Sequence, residues 1–214
     1  MCGAVFGVRG CERGTHVIKL PEFPDLPDET NQYKTVVADP LWPYNDALPG
    51  GGRGAASHYD SLPVGMIEGL GPFVNKIAAS HAHLYMWTTN SFIDDAYQVC
   101  RSWGFEPKTL VTWVKVQDEP EDLPGDRDSG VPVKERIGMG HYFRNTTEHL
   151  IFAQKGSLGT DRNDMPSHFF AERTEHSRKP DKSYGLVEQM SPGPYFEMFA
   201  RRQRDGWDVW GDES

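Results

Sequence analysis

The chain reads as a single α/β domain, a mainly parallel sheet with helices on both faces. Short β-branched and aromatic runs alternate with helical stretches, the order that produces parallel strands. The first such run, Tyr33 to Ala38, stops at Asp39 and Pro40, and sheets of this class bind ligands beyond the carboxyl ends of their strands. A length of 214 residues suits one domain with a substantial core.

Met1 to Gln32 carries Gly3, Gly7, Gly10 and Gly14, then Pro21, Pro24 and Pro27 among acidic residues. It is expected to be an irregular arm ahead of a domain spanning 33–214. After the first strand, Asp46 to Asp60 is glycine-rich, yet lacks the Lys-Ser/Thr ending of a phosphate-binding loop. Pro63 to Ala79 reads as two short helices broken at Gly69-Leu70-Gly71-Pro72, and Ala82 to Thr88 as a buried strand. Ser91 to Trp103 is the clearest helix, with Phe92, Ile93, Ala96, Tyr97, Cys100 and Trp103 along one face. Ser91 is its expected cap, Asp94 and Asp95 suit its positive first turn, and Gly104 stops it. Lys108 to Val116 is the next strand, followed by a long linker, Gln117 to Met139, rich in Asp, Glu, Pro and Gly. Glu148 to Gln154 and Ser167 to Ala171 read as strands on either side of a loop, Gly156 to Asp164. Asp181 to Met190 is a helix with Leu186, Val187 and Met190 inward, and Tyr195 to Ala200 and Trp207 to Trp210 close the sheet.

A hydrophobic content of 37% with 6 Trp fits a globular protein, and no apolar run approaches the ~20 residues of a membrane helix. The first 20 residues lack the basic start and apolar core of a secretory signal. Cys2, Cys11 and Cys100 lie far apart, which fits free thiols in a reducing cytoplasm. The eight His are scattered without ligand spacing, so no metal is expected. Net charge is −9, against a nucleic-acid partner at first sight. Between Pro132 and Lys182, however, nine Lys/Arg face seven Asp/Glu, with His141, His149, His168 and His176 added. That asymmetry permits a nucleic-acid face without demonstrating one.

The chemistry centres on Asp39-Pro40-Leu41-Trp42-Pro43-Tyr44-Asn45. An exocyclic amine on a purine is a poor nucleophile, because its lone pair is delocalised into the ring. The Asp39 carboxylate and the Pro40 carbonyl can each accept one amine hydrogen and hold the nitrogen for attack on a methyl donor. Trp42 or Tyr44 can stack on a base taken out of its helix. Tryptophan most often ends in a core, but the flanking Pro40, Pro43 and Tyr44 favour an exposed, rigid edge.

Asp39-Pro40-Leu41-Trp42 resembles the Asp-Pro-Pro-Trp signature of adenine-N6 methyltransferases, a family holding the catalytic subunit of the eukaryotic mRNA enzyme and compact bacterial and phage DNA enzymes. The resemblance continues through Gly50 to Tyr59, Leu84 to Trp87, Trp113-Val114-Lys115, Gly140 to His149, His176 to Pro180 and Phe196 to Arg201, in the family's order. It implies a Rossmann-like methyltransferase fold with permuted motif order, S-adenosylmethionine as cofactor, and Asp39, Pro40, Trp42 and Tyr44 as the catalytic group. It places the cofactor's methionine end near Asp39, His176 and Lys179, and its ribose and adenine near Glu197, Phe199 and Arg201, with Asp212 and Glu213 at the final motif. Asn45, His141, Arg144, Asn145 and Glu148 are the implied substrate contacts; for the 141–148 cluster, an internal network that shapes the loop is an equal reading. The glycine-rich segment becomes a lid over the site. Three departures stand out: Leu41 for a proline, Arg204 for an asparagine, and acids at Asp212 and Glu213 for amides.

The compact form, without appended zinc fingers or Arg/Gly-rich tails, resembles the DNA enzymes and implies DNA in a bacterial or phage-infected cytoplasm. RNA is the alternative substrate. A weakly active or non-catalytic scaffold is the alternative from another class, to which Leu41 speaks and against which Asp39 and Trp42 speak.

Overall fold

The computed structural model describes residues 32–44, 61–117, 142–173 and 178–211. In chain order the elements are β1 (Tyr33–Ala38), α1 (Val64–Glu68), α2 (Gly71–Ile77), β2 (Ala78–Thr88), α3 (Ile93–Ser102), β3 (Glu106–Val116), β4 (Thr147–Lys155), β5 (His168–Glu172), α4 (Asp181–Met190), β6 (Tyr195–Met198) and β7 (Trp207–Trp210). Seven strands form one sheet in the order β5-β3-β4-β2-β1-β6-β7. The pairings β1–β2, β1–β6, β6–β7 and β3–β5 are parallel. Among the described strands only β4 is reversed, antiparallel to β2 and to β3. The expected α/β class holds.

Successive side chains of a strand point to opposite faces, and here both faces are apolar. Val36, Ala38, Leu84, Met86, Ile151, Ala153, Phe196 and Met198 pack with Ile67, Val74, Ala96 and Val99 of α1, α2 and α3. Their alternates Val37, Tyr85, Trp87, Val111, Trp113 and Leu150 pack with Tyr184, Leu186 and Val187 of α4. Central strands covered on both sides read as continuous apolar runs, which is why Ala82 to Thr88 stood out.

Several boundaries differ from expectation: β2 begins at Ala78 instead of Ala82, so Ala78 and Ala79 are strand and not helix, β3 begins at Glu106 instead of Lys108, and β4 and β5 shift by one residue. Two further differences have tertiary reasons. Ser91 makes no capping hydrogen bond; a 3-10 turn occupies Asn90–Phe92, and α3 begins at Ile93. Phe92 is held there by ring stacking on Trp42, 5.5 Å between centroids at 13°. The strand from Tyr195 ends at Met198 instead of Ala200, because Phe199 turns to a φ of 63° and the Ala200 N–H donates to the Trp210 carbonyl at 3.0 Å. Gly104, at a φ of 82°, ends α3 as anticipated.

The topology selects one end of the sheet. Helices α1 and α2 lead into β2 across one face, whereas α4 leads into β6 across the other, so the chain diverges on either side of β1. A crevice is expected at the carboxyl ends of β1 and β6. Because β4 is reversed, its first residues reach this same edge, with Glu148 opposite Trp113 and His149 opposite Thr88. Among the described residues no helix is long and apolar enough to cross a membrane.

Candidate functional site

Asp39 leaves β1 with its N–H donated to the Met198 carbonyl at 3.3 Å, which ties the carboxyl ends of β1 and β6 together. The next residues form two tight turns: Trp42 N–H donates to Pro40 O at 2.9 Å and Tyr44 N–H to Trp42 O at 3.0 Å. Phe199 is the one described non-glycine residue with positive φ, so both are inverse three-residue turns. Leu41 is central to the first, a position whose φ near −75° a proline also adopts. Its side chain packs on the core and its carbonyl accepts from Leu62 N–H at 2.8 Å. Two bonds therefore frame the loop without the family's second proline. The Pro40 carbonyl, already accepting once, keeps a second lone pair for another donor.

Trp42 is not the exposed edge anticipated. It is 5% exposed, its indole N–H donates to the Trp87 carbonyl at 3.0 Å, and it stacks on Phe92. Its role is to anchor the loop to β2. Tyr44 is the exposed aromatic, edge-on to Phe92 at 5.0 Å with its hydroxyl 2.8 Å from Thr89 Oγ1.

Four charged side chains meet beside Asp39. Lys179 Nζ lies 3.0 Å from Asp39 Oδ1 and 2.9 Å from Glu148 Oε2, and Lys115 Nζ lies 2.6 Å from Glu148 Oε1. All are 12–17% exposed. Lys179 also stands 5.0 Å over the Trp87 ring and Lys115 5.1 Å over Trp113. The two carboxylates share Lys179; Glu148 also pairs with Lys115, and Asp39 also feels the charge of Arg201. Burial pushes the Glu148 carboxyl up, and the Lys179 and then Lys115 charges outweigh that and bring it to about 2. For Asp39 burial dominates and its proton affinity is raised, although the Lys179 charge opposes this. Burial opposes the Lys179 charge too, yet Asp39 and Glu148 raise its proton affinity above that of an ordinary lysine.

These directions have a measurable consequence. A carboxylate whose folded value is depressed stabilises the fold above its unfolded value and loses that contribution as pH falls through its folded value. Glu148 moves from 4.5 to about 2, so roughly 3 kcal/mol of stability is expected to disappear across that interval. Asp39 acts with the opposite sign. Glu148→Gln should flatten the acid side of the Tm-against-pH curve; a wild-type slope in that variant would contradict the pairing.

On the α4 side, Tyr184 donates its hydroxyl to Glu197 Oε1 at 2.6 Å. Glu197 is 5% exposed, and burial first, with nearby Asp39 adding to it, raises its proton affinity. The Arg204 guanidinium covers the Tyr184 ring at 3.8 Å, and Arg202 and Arg204 both bond Asp181. Arg201 is close enough for its charge to act on Asp39. Phe199 packs on Trp210 at 5.4 Å between ring centroids.

The structure thus brings Asp39, Glu148 and Lys179 into contact and sets Glu197, Arg201 and Tyr44 around them. Arg144 and Asn145 are exposed on the turn leading to β4. Asn45, His141, His176, Asp212 and Glu213 lie outside the described residues, as do all of the arm but Gln32, the glycine-rich lid and nearly all of the linker. Residue-by-residue reading missed Lys115 and the Tyr184–Glu197 pair. Lys115 had a signal, since it ends Trp113-Val114-Lys115, but nothing local names its partner. Among the described residues no His, Cys, Asp and Glu cluster fits a metal.

The donor set is compatible with S-adenosylmethionine. Buried carboxylates (Asp39, Glu197) match its ammonium and ribose hydroxyls, and the Lys179 cation matches its carboxylate. The Arg204 Nε–H is buried with no acceptor among the described residues, so a polar group entering beside Glu197 would meet an unsatisfied donor.

The MT-A70 family model matches residues 33–213. The chain is similar to the type II methyltransferase M.MunI of a Mycoplasma species, 28% identical over 94% of this chain and 86% of that protein. It is 25% identical to the N(6)-adenosine-methyltransferase catalytic subunit METTL3 of Homo sapiens, over 85% of this chain and 28% of that protein. An Arabidopsis thaliana N(6)-adenosine-methyltransferase MT-A70-like protein matches at 25% over 87% of this chain and 24% of its own length. The chain therefore spans most of M.MunI but about a quarter of the eukaryotic proteins. With the two-faced, Rossmann-like sheet, the match over nearly the whole chain means that this protein belongs to the MT-A70 family of S-adenosylmethionine-dependent adenine-N6 methyltransferases.

Proposed function

We propose that this chain methylates the N6 amine of adenine in DNA. One observation carries the reading: a largely buried carboxylate, Asp39, is pinned by Lys179 at the carboxyl end of β1, where its N–H is tied to β6, with the Pro40 carbonyl next to it. When bound, S-adenosylmethionine supplies an electrophilic methyl carbon on its sulfonium sulfur. Asp39 accepts one N6 hydrogen and Pro40 O the other, which orients the nitrogen lone pair at that carbon. Transfer of that methyl group to the nitrogen, with the thioether as leaving group, would require one N6 proton to leave. Asp39, whose proton affinity burial has raised, is placed to take it. Lys179, Glu197, Arg201 and Phe199, with His176, Asp212 and Glu213, are the proposed cofactor contacts; Asn45, His141, Arg144, Asn145 and Glu148 are the proposed substrate contacts.

Support for nucleic acid comes from the turn before β4. Tyr142 and Phe143 are 98% and 89% exposed and precede exposed Arg144, an aromatic and basic pairing that suits unstacked bases and a phosphate. Replacing both aromatics with alanine is expected to weaken binding of a single-stranded oligonucleotide by roughly 1–3 kcal/mol per lost stacking contact while leaving Tm unchanged. Unaltered affinity in an equilibrium binding assay would remove that surface from the reading. For DNA over RNA, the support is the coverage of most of a type II methyltransferase of similar size. The N(6)-adenosine-methyltransferases favour RNA instead. Matched DNA and RNA oligonucleotides competing for labelled methyl groups decide between them: faster transfer to DNA supports the proposal, and faster transfer to RNA replaces it.

A further inference from the structure

We propose that Lys115 is a positioning residue of this centre, holding Glu148 in place so that Lys179 remains bridged to Asp39. This rests on the methyl-transfer reading for its consequence, but its geometry stands apart from it. Lys115 is on β3, separated from β1 in the sheet by β4 and β2, and it reaches Asp39 only through two intermediaries. The links are Lys115 Nζ to Glu148 Oε1 at 2.6 Å, Glu148 Oε2 to Lys179 Nζ at 2.9 Å, and Lys179 Nζ to Asp39 Oδ1 at 3.0 Å.

Each oxygen of Glu148 is thus taken by a different ammonium. Beneath them Trp87 and Trp113 meet edge-to-face at 6.2 Å between centroids, and each carries one of the two lysines on its ring. Two cations on an aromatic floor, with one carboxylate strung between them, define where Lys179 can sit. A Lys179 bonded to Glu148 alone could swing about that carboxylate, because an ammonium is a point charge on a flexible stem. With Oε1 held by Lys115, Glu148 cannot turn to follow it. The groups facing Glu148 are Lys115 from β3, Lys179 ahead of α4, Asp39 after β1, Tyr44 beyond it, and His149 beside it on β4. Among the described residues of that set the two lysines are the cations bonded to Glu148; burial lowers the proton affinity of His149, and Glu148 opposes that. Removing Lys115 therefore halves the cationic support of Glu148, and Lys179 is drawn toward it and away from Asp39.

The test uses the full chain with Lys115→Met and Lys115→Arg. Glu148 is followed by NMR titration of its labelled carboxyl carbon in the unliganded protein, and methyl transfer is followed against pH. In Lys115→Met, Glu148 is expected to titrate about one pH unit or more higher than in wild type, as for loss of an adjacent opposite charge. The kcat should fall about tenfold or more, the loss typical of a displaced catalytic group, with the acid limb of its pH profile moved in the same direction. Lys115→Arg should restore both. A wild-type Glu148 titration in Lys115→Met overturns the proposal, as does a kcat loss whose pH profile is unmoved and which Arg fails to restore. Should Lys115→Met not fold, wild type decides: a Lys115 ammonium in fast solvent exchange contradicts the proposal, and a slowly exchanging one coupled to Glu148 upholds it. If wild type methylates neither DNA nor RNA, the functional reading fails, while the titration still judges Lys115.

Discussion

Asp39→Ala should eliminate detectable methyl transfer while the protein remains folded. The carboxylate is the acceptor that orients the amine, and preorganised groups of this kind typically account for roughly 10²–10³ in rate, with removal of the proton acceptor adding to the loss. Stability should behave differently. Burial opposes the charge of Asp39 strongly enough to raise its proton affinity in spite of Lys179, so its removal relieves a cost. Lys179 retains Glu148 at 2.9 Å and is not left as an unpaired buried cation. The variant should therefore melt no lower than wild type at neutral pH. A large fall in Tm would mean that Asp39 holds the fold, and wild-type turnover would remove it from the chemistry.

Lys179→Met is expected to cost both activity and stability, and to do so in a pH-dependent way. Methionine fills the space but leaves Asp39 and Glu148 facing one another without the cation between them. Breaking a buried pair by deleting one partner typically costs about 3–5 kcal/mol. Glu148 keeps Lys115 at 2.6 Å, so most of the penalty falls on Asp39, whose proton affinity rises further. The sign follows. A carboxylate with a raised folded value binds its proton more tightly in the fold, so its ionisation destabilises the fold as pH rises through that value. The Tm deficit should be largest near neutral pH, where Asp39 is ionised and Lys179 is charged, and shrink as the solution is acidified. Adding Asp39→Ala should recover much of it, because the orphaned carboxylate is then gone. A deficit independent of pH, or unrelieved in the double variant, would show that Lys179 supports the fold by packing on Trp87 and not by charge.

How far this was legible from residues alone depends on the distance over which each feature is decided. Helix α4 was bounded correctly at both ends because Pro180, the inward Leu186 and Val187, and the turn after Met190 all lie within a few residues. The site edge was legible for a similar reason: a β-branched strand that stops at Asp39 and Pro40 announces a carboxyl end. Trp42 was misread because its neighbours are prolines and tyrosine, whereas its burial is decided by Trp87 and Phe92, far along the chain. The start of α3 slipped for the same cause, since Phe92 follows Trp42 and not the cap rule. Lys115 and Glu148 adjoin only through the β3–β4 register, and no spacing rule anticipates a pairing across a long linker. The left-handed Phe199 was also beyond reach, as nothing in Glu197-Met198-Phe199-Ala200 marks a bulky residue for φ > 0.

The most direct measurement incubates the purified chain with methyl-labelled S-adenosylmethionine and adenine-containing DNA, digests the product to nucleosides, and identifies the labelled species by mass spectrometry. Label in N6-methyladenine with wild type, and none with Asp39→Ala at matched folding, is the expected result. Label on another base or another adenine nitrogen, or equal incorporation by the two proteins, would contradict a centre built on Asp39.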